Sequence, residues 1–314
     1  MKERSFSISA RAPFRLDLTA WALRRRADNI VDRWDGRAYR RVLALESGPV
    51  AVTAVQAGPP ERARLDVTLT GDRVDGQAED ATRAMLAHVL GLDIDLSAFY
   101  RLAGRDPLLR TLAARLRGVK PPRFPSLFEC LVNAVACQQL TLTVGILLLN
   151  RLAEAYGAHL YGAHAFPRPG DLAGLPPEAL LPLGFSRAKA RSIVSLAAEA
   201  EKGGLVAEEI GALDDEAALE RLLRLRGIGR WSGEYALLRG LGRLHVFPGD
   251  DVGARNNLAR RLSRTGPLDY TAVKQAVEPW QPFAGLVYFH LLLANLAERG
   301  LLDAEHPALA EAHR

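Results

Sequence analysis

The sequence predicts an α+β protein: a small N-terminal antiparallel sheet domain with helices, followed by an all-α region. Three observations carry this reading. Residues 37–71 alternate apolar and polar side chains with the period of half-buried strands, and Gly/Pro turns interrupt them. From about Asp80 the alternation stops, and apolar residues recur at helical spacing between short Gly/Pro breaks. The length of 314 residues, 48% hydrophobic and 25% charged, suits two domains whose cores need neither disulfides nor metals.

In chain order, Met1-Lys2-Glu3-Arg4-Ser5 is too polar for the start of a signal peptide. Val50, Val52 and Ala54 line one strand face, and Leu65, Val67 and Leu69 another. Glu46-Ser47-Gly48-Pro49 and Gly58-Pro59-Pro60 supply turns, so an antiparallel meander is the simplest connection. Ala84, Leu86, Ala87 and Leu90 mark a helix that closes a first domain, 1–93, and Gly91 to Asp95 lead into a second region, 94–314. After the stiff connector 121–125, Ser126 caps a helix, with Glu129 as the return arm of a capping box. Leu127, Leu131, Ala134 and Val135 turn that helix toward a core. Thr141 to Tyr156 is a second helix, and Phe166 to Pro177 a proline-rich loop. Pro176-Pro177 starts a helix ending near Gly184, and Ser186 to Lys202 is a helix with a basic opening. The densest apolar run, Leu142 to Leu149, falls well short of the about 20 residues a bilayer requires, so no membrane partner is expected.

Composition removes several function classes. Only Cys130 and Cys137 occur, which excludes a disulfide scaffold and any four-cysteine zinc or iron–sulfur site. Histidines are scattered; His159 and His164 flank Gly162 as loop surface, and His245 and His290 read as structural. No Gly-x-Ser-x-Gly elbow or phosphate-binding Walker loop appears. The net charge of +5 is modest, but from Arg221 to Arg261 nine arginines face only Glu234, Asp250 and Asp251. That local field points to a polyanionic partner.

The same window carries the chemistry. Asp214-Asp215-Glu216 opens a helix by capping, and Ala218, Leu219, Leu222, Leu223 and Leu225 form its apolar stripe. It stops at Arg226-Gly227-Ile228-Gly229, and a second helix follows at once from Arg230-Trp231. Both glycines can take positive φ, which makes the hairpin tight and presents the next helix's free N–H groups to a phosphate. Ile228 plugs the hairpin into the core. Downstream, Phe247-Pro248-Gly249-Asp250-Asp251 turns into a further helix containing Leu258 and Leu262. Two adjacent acids are ordinary helix caps. A carboxylate among arginines, beside a phosphate-gripping hairpin, would also stabilise positive charge developing on a sugar.

Leu225-Arg226-Gly227-Ile228-Gly229-Arg230-Trp231 followed by Phe247-Pro248-Gly249-Asp250-Asp251 resembles the helix-hairpin-helix DNA glycosylase superfamily, and within it the 3-methyladenine DNA glycosylase II family. The N-terminal mixed domain, 136–141, 183–190 and Glu278-Pro279-Trp280-Gln281-Pro282-Phe283 fit the same pattern. The resemblance implies a helical glycosylase region of two subdomains, with the hairpin at about 216–241 and a catalytic loop at about 245–253. It implies Asp251 as the catalytic residue. It assigns Gly227, Ile228, Gly229 and Arg230 to the DNA backbone, Gln139 to the gap left by the extruded base, and Trp231, Tyr235 and Leu292 to the base pocket. Leu292 stands where the family carries a stacking tryptophan, and Val252 replaces an aromatic. Trp231 occupies the place of the nucleophilic lysine of bifunctional relatives, and no lysine occurs between Lys202 and Lys274, so no lyase step is expected. The implied partner is double-stranded DNA containing a damaged base, bound by a monomer that is cytoplasmic and nucleoid-associated. No cofactor is implied beyond a Na+ or K+ ion on the hairpin main chain. The implied activity is hydrolysis of the N-glycosidic bond of a flipped-out, alkylated base. Deaminated or oxidised bases on the same scaffold, or a non-catalytic DNA-binding protein, are the alternatives.

Overall fold

The computed structural model of the chain describes residues 2–264 and 266–302; Met1, in the stretch read as too polar for a signal peptide, and Thr265 and residues 303–314, in the region expected to be helical, lie outside them. Five strands, β1 (Lys2–Ser9), β2 (Arg33–Trp34), β3 (Ala38–Leu45), β4 (Gly48–Ala57) and β5 (Arg64–Gly71), form an antiparallel sheet in the order β1-β5-β4-β3-β2. The expected meander is β3-β4-β5, with Val52 opposite Leu69 and Ala54 opposite Val67. Alternation is sharp there because one face of each strand is buried. The edge strand β1 pairs with β5 through a mostly exposed, polar segment in which only Phe6 and Ile8 reach the core. That exposure is why no strand was legible in it.

The helices are α1 (Leu16–Arg24), α2 (Gly76–Leu90), α3 (Ser97–Ala103), α4 (Pro107–Arg115), α5 (Leu127–Cys137), α6 (Leu142–Tyr156), α7 (Pro169–Leu172), α8 (Arg187–Glu201), α9 (Ala207–Gly211), α10 (Asp215–Leu223), α11 (Arg230–Arg239), α12 (Val252–Arg261), α13 (Tyr270–Val277) and α14 (Ala284–Glu298). They pack around two cores that do not follow chain order. One core joins the sheet and α1–α4 to the C-terminal helices α12–α14. The other holds α5, α6 and α8–α11. The chain therefore leaves the first core after α4, builds the second, and returns. The groove between the two cores is bounded by the ends of α1, α5 and α11.

Local expectations need three corrections. Ser126 does cap α5 by accepting the Glu129 N–H at 3.1 Å, but Glu129 does not return to the cap. Its carboxylate accepts from Arg41 Nη2 at 2.7 and 2.6 Å, while Arg41 Nη1 and Tyr39 Oη both donate to Asp32, each at 2.7 Å. All four side chains are buried, and a carboxylate removed from water gains more from a cation than from an exposed cap. Leu223, placed on the apolar stripe of α10, is 42% exposed, because at 3.6 residues per turn it lies about 100° round the helix from Leu222 and about 140° from Ala218, off the face that buries them. His159 and His164 are not free loop but opposite residues of a small hairpin, β6 (His159–Leu160) and β7 (Ala163–His164), with rings 4.9 Å apart.

Candidate active site

The hairpin is built as its residue types dictate, with one exception. Gly227 has φ +80°, and a Cβ there would lie 2.1 Å from Ser192 Oγ on α8. Gly229 does not take positive φ. It is the extended N-cap of α11, with φ −103° and ψ −178°, and nothing lies near its absent Cβ. Its smallness therefore leaves open space at the helix entrance rather than permitting a turn. Ile228 is buried in the second core, as expected. Its N–H donates to Leu225 O at 3.2 Å, so that amide is used inside the hairpin and is not available to a phosphate. The N–H groups of Gly227 and Gly229 have no acceptor among the described residues. The Gly227 carbonyl accepts from Gln138 Nε2 at 2.8 Å and the Leu225 carbonyl from Ile228, so a monovalent cation at the hairpin would have to share these oxygens.

The loop that carries Asp250 and Asp251 is seated by Glu234 of α11. This buried carboxylate accepts the Gly249 N–H at 2.8 Å and Tyr270 Oη at 2.7 Å, and pairs with Lys274 Nζ at 2.9 Å. Burial, then the Glu234 carboxylate beside it, raises the Tyr270 phenol pKa and keeps it a donor. Gly249 passes so close to the Tyr270 ring that a Cβ would approach it to 2.6 Å. Asp250 points to Arg230, whose Nε donates at 2.7 Å and whose guanidinium lies 3.9 Å above the Tyr270 ring. The arginine nearest the acidic pair thus engages Asp250, not Asp251.

Asp251 is the N-cap of α12, accepting the Ala254 N–H on Oδ1 at 2.8 Å. Its Oδ2 accepts from Trp231 Nε1 at 3.1 Å and from Tyr288 Oη at 3.2 Å. Burial, and then the Asp251 charge, hold the Tyr288 phenol pKa well above its ordinary value, so it remains protonated and donating. The carboxylate opens on a cleft of ≈ 1110 Å³. Of the residues named from sequence, Asp251, Gln139, Gly229, Arg230, Trp231, Tyr235 and Leu292 line it; Gly227 and Ile228 do not.

Their environments differ. Gln139 stands exposed at the rim in the left-handed conformation, φ 55°. Its loop is pinned from beneath: Gln138 Nε2 donates to Ser232 Oγ at 2.8 Å, and Lys189 Nζ to Ala136 O and Gln138 O at 2.8 and 2.7 Å. Trp231 and Tyr235 do share a face, with rings 5.5 Å apart, but Tyr235 is 2% exposed and forms the floor while Trp231 presents the wall. Val252 is 60% exposed beside the carboxylate. Sequence reasoning missed Tyr288, which carries no motif, and Arg25 at the end of α1, whose Nη1 donates to Tyr235 Oη at 3.2 Å and Nη2 to Asn133 Oδ1 at 2.6 Å. An arginine adjoining other arginines at 24–26 gives no periodic signal.

The basic window is less open than its count suggested. Arg239 is buried, and Arg221, Arg224, Arg230, Arg243, Arg260 and Arg261 pair with Glu209, Glu220, Asp250, Asp215 and Glu298. Exposed pairs are worth only about 0–1 kcal/mol, so such arginines can exchange a carboxylate for a phosphate. Arg187 and Arg191 of α8, and Arg226, are exposed beside the hairpin tip. Among the described residues no helix is long and apolar enough to cross a membrane.

Comparison with known proteins agrees with this architecture. Residues 5–126 match the AlkA N-terminal domain, and residues 132–282 match the HhH-GPD superfamily of base excision DNA repair proteins. A DNA-3-methyladenine glycosylase of Bacillus subtilis is 30% identical over 206 residues, 64% of this chain and 67% of that protein. The 3-methyladenine DNA glycosylase structure from Archaeoglobus fulgidus superimposes with a TM-score of 0.79 at 27% identity, covering 92% of this chain and 97% of that one. The Schizosaccharomyces pombe 3-methyladenine DNA glycosylase bound to abasic DNA gives 0.55 at 29% identity, covering 62% and 94%. The N-terminal sheet region and the helical region thus each match these relatives, and the chain belongs to the 3-methyladenine DNA glycosylase II family of the helix-hairpin-helix superfamily of base excision repair proteins.

Proposed function

We propose that this chain is a monofunctional DNA glycosylase that binds duplex DNA as a monomer, extrudes an alkylated base and hydrolyses its N-glycosidic bond, leaving an abasic site. The observation that carries the reading is Asp251: a carboxylate fixed by three donors, facing a nucleotide-sized cleft beside two unpaired hairpin amides.

Association begins on the phosphates, through the Gly227 and Gly229 amides, the positive end of α11 and the exposed arginines, and so weakens with salt. Rotating a nucleotide out of the stack costs a few kcal/mol, least for a damaged pair. Gln139, on its pinned loop at the rim, fills the gap. The base enters against Trp231. Alkylation leaves a purine cationic, and the indole face attracts it. The C1′–N bond then breaks with its electron pair on the base, and the sugar gains oxocarbenium character. The donors already on Asp251 hold the carboxylate in one position, so its charge is preorganised against the cationic sugar and needs no reorganisation during the reaction. Water adds to C1′ and gives up a proton.

The lining of the cleft supports monofunctional chemistry: among the described residues no lysine lines it. Lys189 and Lys274, the candidates nearest in the fold, donate to main-chain carbonyls at Ala136, Gln138 and Phe247. The test is mass spectrometry of bases released from duplexes that have been alkylated, deaminated or oxidised, with strand integrity assayed in parallel. Alkylpurine release with strands intact until alkali treatment is expected. Strand breaks without alkali contradict the monofunctional reading, and absence of any released base contradicts the glycosylase reading.

A further inference from the structure

Arg25 lines the cleft from its sealed side. It closes α1 with φ 62°, a conformation that a non-glycine residue keeps only where its surroundings hold it. The residue is 6% exposed, its Nε has no acceptor, and the acceptors of its Nη atoms, Asn133, Tyr235 and, at 3.9 Å, Cys137 Sγ, are neutral. Among the described residues no carboxylate is hydrogen-bonded to it, and buried Glu129 acts on it only through space. Burial opposes its charge, yet a guanidinium keeps its proton inside a protein, so the cation persists in the wall. Asp251 is bonded to Trp231, and Arg25 to Tyr235, whose rings are neighbours. The aromatic surface thus runs from an anion to a cation with no carboxylate in hydrogen-bond contact.

That polarity bears on which bases leave easily. In glycosidic cleavage the electron pair of the C1′–N bond passes to the base nitrogen, and C1′ takes hydroxide from water. A neutral base departs as an anion and then takes up the proton that water released. A cationic alkylpurine departs neutral. We infer that Arg25 is a specificity-determining residue that favours neutral purines with a carbonyl acceptor edge, such as deaminated adenine, relative to cationic N-alkylpurines. A cation in a low-dielectric wall stabilises an anionic leaving group and repels a cationic substrate. With a cationic base the positive charge moves during cleavage from the Arg25 end toward Asp251. Arg25 therefore favours bond breaking in both classes but costs binding for the cationic one, so from free enzyme and free duplex it favours the neutral class. The inference rests on the glycosylase reading above.

The experiment compares the full-length protein with Arg25→Met, using duplexes that carry one hypoxanthine or one 7-methylguanine, under single turnover with the enzyme in excess but below the concentration that saturates the duplex, so that second-order rate constants are compared. Arg25→Met is expected to lower the hypoxanthine to 7-methylguanine rate ratio by about fivefold or more, and to tighten binding of the 7-methylguanine duplex. Because the ratio is taken within one preparation, partial unfolding cancels; if Arg25→Met cannot be prepared folded, Arg25→Gln makes the same comparison. A smaller change in the ratio, including equal loss on both substrates, overturns the inference, as does a wild type active on 7-methylguanine but inert on hypoxanthine. A wild type inert on both instead retires the glycosylase reading.

Discussion

On the hairpin wall of the cleft the charged groups stand partly in water; on the opposite wall they are sealed from it. Arg230 and Asp250 pair at the surface and Asp251 faces the opening, held by hydrogen bonds. Across from them Arg25 lies against Asn133 and Tyr235, and behind it Arg41 binds Asp32 and Glu129 in a closed cluster that joins β3 to α5. Pairs on the wet wall are weak and exchangeable, which suits a surface that must trade carboxylates for phosphates. The dry wall cannot exchange partners, so it sets fixed geometry and a fixed field.

Removing one cation from each wall breaks the comparison most directly. Arg41→Met leaves two carboxylates buried without their cation and is expected to cost about 3–5 kcal/mol in urea denaturation. Burial, opposed by Arg41, already raises the Glu129 pKa, so the cost should shrink at low pH as that group takes up a proton. Arg230→Met should change stability by less than about 1 kcal/mol. Similar losses for the two variants would erase the distinction between the walls.

A pH effect of somewhat smaller size belongs to the same dry interior. His290 is buried against Phe99, and burial lowers its pKa from 6.5 to about 4, although its hydrogen bond to Leu286 O works the other way. The unfolded chain then binds more protons than the folded one between these values. The neutral His290 state is fully favourable above pH 6.5 and loses its advantage as pH falls toward 4. A few kcal/mol of stability should disappear over that interval, and His290→Leu should flatten this part of the profile. An unchanged slope in the variant would assign it to other groups.

The smallest effects compare the hairpin glycines. Gly227→Ala places a Cβ against Ser192 at positive φ and should destabilise the fold by about 1–3 kcal/mol. Gly229→Ala meets no atom and should leave stability within about 0.5 kcal/mol while weakening duplex binding, because it fills the space beside the free amides. Arg226→Gln should lower the slope of log affinity against log salt by about 1. Unchanged binding for both Gly229→Ala and Arg226→Gln would remove the hairpin tip from the contact surface.

What could be read in the sequence follows the range of the interactions. The hairpin and the loop leading to Asp251 are short-range structures in which caps, glycines and an apolar plug act within a few residues; they carry the family resemblance from which Asp251, Trp231 and Gln139 were assigned. The strands β3–β5 were legible because burial of one face imposes alternation. Arg25, Tyr288 and the Arg41 cluster were not. Arg25 meets Tyr235 across 210 positions of sequence and Arg41 meets Glu129 across 88, and long-range pairing of single residues leaves no periodicity. The same reason hid the joining of the sheet to α12–α14 in one core. Gly229 was misread because Gly-x-Gly fixes composition and not φ, and Ile228 because its amide was counted as free before the hairpin's own bonds were known.

The central claim is that the Asp251 charge lowers the barrier to base departure, and Asp251→Asn tests it with little change in shape. The asparagine can still accept the Ala254 N–H, so the loop should persist. Measured on a duplex with one 7-methylguanine, release should fall by about 10²-fold or more, while affinity for an abasic-site duplex stays within about threefold of wild type. Release near the wild-type rate by this variant would contradict the account.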